Sequence, residues 1–180
     1  ITALQIARRE VYAAKNIHNA YRAEHGNQDH PNIVSSLGSV LVTNEDRLVK
    51  LRVHYEFAEK GDLIDYFVSK ANSKEEVTIQ QITNIFVNAL SGLTYMHANG
   101  IVHRDVKLDN ILIITDGVHK LADFGSVVFL NELNDDELCA ECGAMLGTED
   151  YIPPEMDRKA NTYEASQNKI RALQEGRPNS

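Results

Sequence analysis

Along the first part of the chain, apolar residues recur at every third or fourth position. Ala7, Val11, Ala14, Ile17 and Tyr21 form one stripe, which predicts a helix over 6–21. Gly26 and the polar run after it stop that helix. Past a turn at His30-Pro31-Asn32 the period drops to two, predicting strands over 33–42 and 48–57. In the second strand Leu51, Val53, Tyr55 and Phe57 alternate with Arg52, His54 and Glu56. Thr43-Asn44-Glu45-Asp46 suits the hairpin turn between them. Glu59-Lys60-Gly61 breaks the pattern ahead of a short helix over 63–68. Thr78 and Gln81 form a capping box for a longer helix, which carries Ile79, Ile82, Phe86, Leu90 and Leu93 on one face. Asn99-Gly100 ends it. Short strands over 111–114 and 118–122 flank a Thr115-Asp116-Gly117 turn. Beyond Phe129 the periodicity fades, and 157–180 is polar with no core face after Ala165. The order of elements predicts an α+β fold.

A length of 180 residues suits one domain or two small lobes sharing a cleft. With 43% apolar and 24% charged residues, the composition is that of a globular chain. The net charge of −8 argues against nucleic acid as a main partner, since phosphate binding needs surplus Lys and Arg. Two cysteines exclude a disulfide-rich scaffold. No aliphatic run is long enough for a membrane segment, and the start lacks the apolar core of a signal peptide. A reducing cytoplasmic, or nuclear, setting is the expectation. The charge is also uneven: 123–155 holds nine acidic residues and no Lys or Arg, leaving the rest nearly neutral.

The residues that carry chemistry follow the long helix. His103-Arg104-Asp105-Val106-Lys107-Leu108-Asp109-Asn110 forms one loop, and Asp123-Phe124-Gly125 comes directly after a predicted strand. Gly147-Thr148 and Tyr151-Ile152-Pro153-Pro154-Glu155 come later. Asp105, Asn110 and Asp123 are oxygen donors, which suit Mg²⁺ rather than zinc. Lys107 adds a positive charge for a phosphate. Phosphoryl transfer needs charge neutralisation, positioning and a group that accepts or orients a proton.

This constellation resembles the serine/threonine protein kinase family. His30-Pro31-Asn32-Ile33-Val34 resembles the family's link from its αC helix to the next strand, and Tyr55-Glu56-Phe57-Ala58 with Gly61-Asp62-Leu63 resembles its hinge. The resemblance runs in order over 6–155. It implies a bilobal fold with a partial N-lobe over 1–57 (αC helix and two or more strands). A partial helical C-lobe over 58–180 would hold the catalytic loop and activation segment. It implies ATP and Mg²⁺ as cofactors and a protein substrate. By resemblance, Asp105 is the catalytic base, Lys107 meets the transferred phosphoryl, and Asn110 and Asp123 hold Mg²⁺. Glu56 and Ala58 offer backbone bonds to adenine, Asp62 faces the ribose and Leu112 floors the adenine. Glu10 is the αC glutamate, and Tyr55 is an unusually bulky gatekeeper. Lys107 at its position is typical of serine/threonine rather than tyrosine kinases.

Other readings stand beside these. His103 reads as a structural residue packing under Phe124, Asp62 also as a helix N-cap, and Glu10 also as a surface charge. Acidic residues at 135–137 could stand in for a phosphate against Arg104, or form a solvated loop. Cys139 and Cys142 form a lone C-x-x-C. No G-x-G-x-x-G occurs, nor a strand lysine in a Val-Ala-Ile-Lys context. The expectation is therefore a kinase segment cut at both ends, with a catalytically impaired kinase-like binding module as the alternative.

Overall fold

The computed structural model describes residues 3–43, 49–134, 148 and 151. The 6–21 helix is in fact two: α1 (Ala3–Asn16) and α2 (Asn19–Glu24). The break falls where His18 turns inward and is fully buried. Its Nε2 lies 3.1 Å from the Val34 carbonyl, and its Nδ1 accepts the His30 N–H at 3.0 Å. These partners assign the proton to Nε2. A buried imidazole needs both bonds, and an unbroken helix would forgo them. The Ile17 carbonyl is taken by the Tyr95 hydroxyl at 2.8 Å. Gly26 and Asn27, at φ +64 and +67, stop α2 in the left-handed region.

The two strands are β1 (Ser36–Thr43) and β2 (Val49–Tyr55), an antiparallel pair with a register shift near Gly38. Ile33 and Val34, expected in the first strand, instead meet the chain at Leu121. The Val34 N–H donates to the Leu121 carbonyl at 2.9 Å, and the Leu121 N–H to the Asn32 carbonyl at 3.0 Å. The predicted alternation holds through Tyr55 but fails at Phe57, which is 80% exposed because the strand has ended. The hairpin turn beyond Thr43 lies outside the described residues.

α3 (Leu63–Ser73) is longer than the predicted 63–68. Its N-cap is Asp62, whose Oδ1 accepts the Asp65 N–H at 2.9 Å. α4 (Ile79–Ala98) begins at the Thr78–Gln81 capping box, as the spacing predicts. Its apolar stripe is only partly covered, with Leu93 packed against the core. Ile85, Ala89, Gly92 and Met96 are buried, whereas Ile79, Phe86 and Leu90 are more than half exposed. Gly92 shows why: a Cβ there would stand 2.7 Å from the Asn32 carbonyl oxygen. The face with small residues approaches the 32–34 strap and Leu121 closely, which the bulky stripe could not do.

β3 (Ile101–Val102), β4 (Ile111–Thr115), β5 (Val118–Leu121) and β6 (Val128–Phe129) complete the chain of elements. β4 pairs with β5 around Gly117 and β3 with β6, both antiparallel. Single 3-10 turns occupy Leu108–Asn110 and Leu130–Glu132. The core joins Ala13 of α1 and Ile17 just past its end to Ile33, Leu63, Met96, Leu121 and Phe124. One apolar centre thus spans the α1 side and the α4 side, and the loops carrying Asp105 and Asp123 sit on its rim. Among the described residues, no helix is long and apolar enough to cross a membrane.

Candidate active site

The loops after β3 and β5 are each shaped by one backbone position. Arg104 has φ +66 and Asp123 has φ +60, left-handed conformations that a non-glycine residue adopts at a cost of about 1–3 kcal/mol. Local bonds hold both. The Arg104 Nε donates to the Ser126 carbonyl at 2.6 Å, and Asp123 Oδ1 accepts the Gly125 N–H at 3.2 Å. His103 supports the loop from beneath, almost wholly buried. Its Nε2 lies 3.0 Å from the Ala122 carbonyl and its ring 6.1 Å from that of Phe124. The structural reading of His103 is the one observed.

Asp105 is the hub of the polar network. Its Oδ1 accepts the Thr148 N–H at 2.9 Å and the Thr148 hydroxyl at 3.0 Å. Its Oδ2 accepts Asn110 Nδ2 at 3.0 Å and stands 3.4 Å from Lys107 Nζ. Lys107 also donates to Thr148 Oγ1 at 2.6 Å. Burial pushes the Asp105 carboxyl up. The Thr148 bonds and the Lys107 charge outweigh it and hold the group below the usual carboxylate range.

Asn110 is buried and spends its amide N–H groups on the Asp105 carbonyl and carboxylate, so its Oδ1 is the end left to accept. The Ala122 N–H bonds to the Asn110 carbonyl at 2.9 Å, bringing the Asp123 turn against the Asn110 loop. Asp123 itself is exposed. Among the described residues no three His, Cys, Asp or Glu side chains cluster. Two hard oxygens, one amide and one carboxylate, fit Mg²⁺, which takes few protein ligands and completes its shell with water and phosphate.

Opposite stands Glu10 on α1. It is half-buried, and its carboxylate accepts the Tyr55 hydroxyl at 3.3 Å. Burial raises its pKa, with the Asp123 charge adding to the shift and the Tyr55 bond opposing it. Tyr55 also lays its ring against Phe124, centroids 6.0 Å apart. Glu10 is therefore directed inward, not spread on the surface.

In the hinge segment the Glu56 N–H donates to the Ser35 carbonyl at 2.9 Å. Among the described residues, neither the Glu56 carbonyl nor the Ala58 N–H has a backbone partner. Leu112 is bridged to Asp62 and packs on the core. Asp62 spends one carboxylate oxygen as the α3 cap, the alternative reading offered for it. Residues 135–137 and Cys139, Cys142, Gly147 and Pro153-Pro154-Glu155 lie outside the described residues. The sequence reading missed Thr148 as joint partner of Asp105 and Lys107, because nothing in local spacing links residues 43 apart.

The fold and the order of these loops are those of the protein kinase class. The family model described as "Protein kinase domain" matches residues 3–168, and the chain belongs to that family. It is similar to the Serine/threonine-protein kinase CST20 of Candida albicans, 35% identical over 127 residues, which is 71% of this chain and 9% of the relative. It is likewise similar to the Serine/threonine-protein kinase STE20 of Saccharomyces cerevisiae, 35% identical over 127 residues, 71% of this chain and 12% of the relative. The Serine/threonine-protein kinase PAK mbt of Drosophila melanogaster is 42% identical over 96 residues, 53% of this chain and 14% of the relative. The chain thus aligns with a small part of each of these longer proteins.

Proposed function

We propose that this chain carries the catalytic loop and nucleotide-facing segments of a serine/threonine protein kinase, transferring the γ-phosphoryl of ATP to a protein hydroxyl. The observation that carries the reading is the Asp105–Thr148–Lys107 triangle held beside the inward end of Asn110. Asn110 Oδ1 and the Asp123 carboxylate would hold Mg²⁺, which when bound neutralises phosphate charge. Lys107 supplies a further cation for the transferred group. A carboxyl held low, as Asp105 is, serves chiefly to orient the substrate hydroxyl and takes its proton late. The unpartnered Glu56 carbonyl and Ala58 N–H match the acceptor and donor of an adenine edge. Leu112 would floor the ring and Asp62 would face the ribose with its second oxygen. Glu10 would orient the phosphate-binding side from α1.

The binding-module reading rests on a separate observation. Glu10 is partnered by a phenol, not by a lysine, among the described residues. Two measurements decide between them. Mg²⁺–ATP should raise the melting temperature, and labelled phosphate should pass from ATP to Ser and Thr in a degenerate peptide library, with Asp105→Asn abolishing transfer. Stabilisation without transfer would favour the module. Absence of both would refute nucleotide handling altogether.

A further inference from the structure

The segment from Glu56 to Asp62 is tied down at both ends, and its near end reaches the β4–β5 hairpin through a side chain alone. At the far end, the Ile113 N–H donates to the Gly61 carbonyl at 2.9 Å and the Lys60 N–H to the Ile113 carbonyl at 3.3 Å. Lys60 is also paired with Asp116 at the β4–β5 turn. At the near end the tie to the hairpin is a side-chain pair. Lys120 Nζ on β5 lies 2.7 Å from Glu56 Oε1, with the two side chains only 12% and 23% exposed. The same Oε1 accepts the Ser35 N–H at 2.7 Å, while the Glu56 N–H returns a bond to the Ser35 carbonyl. Lys120 lies opposite Leu112 in the β4–β5 ladder. One hairpin therefore anchors both ends of a short bridge. Between the anchors stand the Glu56 carbonyl and the Ala58 N–H.

We infer that Lys120 is a positioning residue for nucleotide binding: through the Glu56 carboxylate it fixes the near end of the hinge, so the backbone groups facing the adenine are held in place before the ligand arrives. This rests on the nucleotide reading given above and extends it to a residue that touches no part of ATP. A hinge fixed in advance does not lose freedom on binding, so the effect belongs in nucleotide affinity. Without Lys120, Glu56 keeps both bonds to Ser35 but loses its tie to β5, so the near end of the bridge is held from one side only.

The test compares Lys120→Met, Lys120→Arg and the unaltered chain by two readouts. The first is hydrogen exchange of the 56–59 amides without ligand. Lys120→Met should speed it, Lys120→Arg should leave it near the original, and equal rates in all three would overturn the inference. The second is the Kd for Mg²⁺–ATP, with the KM for ATP set against kcat. Lys120→Met should weaken binding ten- to a hundredfold, on the order of the loss seen when outer-shell support is removed, at near-constant kcat. Unchanged affinity beside an unaltered chain that binds would also overturn it. Should the unaltered chain bind no Mg²⁺–ATP, the nucleotide reading fails, and the exchange rates still decide what Lys120 does. Glu56→Gln, a milder change to the same pair, should reproduce the faster exchange if Lys120→Met folds poorly; unchanged exchange there would count against the inference.

Discussion

The Tyr55 hydroxyl donates to the Glu10 carboxylate at 3.3 Å, joining the end of β2 to the middle of α1. Tyr55 also contacts Phe124 through its ring, so one side chain touches the helix glutamate and the residue after Asp123. The Glu10 pKa is raised, chiefly by burial. The fold thus favours its protonated form. That contribution to stability is present below about pH 4.5 and is lost as pH rises through the higher folded value. Glu10→Gln, which keeps the acceptor without the charge, should melt higher than the original at pH 7, with the gap closing near pH 4. Equal gaps at both pH values would refute the assignment. Tyr55→Phe keeps the ring and loses one bond, and should cost about 1 kcal/mol in urea unfolding.

Thr148→Val removes the hydroxyl shared by Asp105 and Lys107 and leaves the Thr148 N–H bond. Asp105 has a lowered pKa, so its contribution is present above about pH 4 and lost as pH falls through the lower folded value. The substitution should cost about 1 kcal/mol at pH 7 and visibly less at pH 3. Denaturation midpoints at the two pH values check this.

His30 faces His18, stacks on Tyr95 and meets the edge of Tyr21. Burial, followed by the charges of His18, His25 and Lys120, lowers its pKa to about 4. Its neutral form stabilises the fold above the ordinary histidine value, and this is lost between about pH 6.5 and 4. Stability should fall across that interval, and His30→Asn should flatten the slope. A slope unaltered by the substitution would place the titrating group elsewhere.

The two faces of α4 should respond in opposite ways. Ile85→Ala, in the core, should cost about 2–4 kcal/mol. Phe86→Gln, on a residue 63% exposed, should change stability by less than about 0.5 kcal/mol. Chemical denaturation of the two variants side by side gives the comparison.

That contrast shows what the sequence made legible. Periodicity located α4 and its cap, because the Thr78–Gln81 exchange is local. It drew an apolar stripe of which only part is covered, because apolar bulk marks a stripe but not what covers it. The covered face was set by Gly92 against Asn32 and Leu121, a contact between distant segments. The catalytic loop was legible because its residues are adjacent in sequence, whereas Thr148 and Lys120 were not, since their partners lie 43 and 64 residues away. The break between α1 and α2 escaped for the same reason: the two partners of His18 come from the segment beyond the next turn.

The pinned end of α1 makes the helix a lever. Tyr95 holds Ile17 and Val34 holds His18, so the fulcrum sits at the C-terminal end of the helix. Glu10 stands seven residues upstream of Ile17. That is about 10 Å along the axis, so a tilt of about 10° carries its carboxylate roughly 2 Å. Such a swing is enough to break the bond to Tyr55 while leaving the fulcrum undisturbed. Any agent that presses on the N-terminal turns of α1 would act on Glu10 with mechanical advantage, and one that presses near α2 would hardly move it.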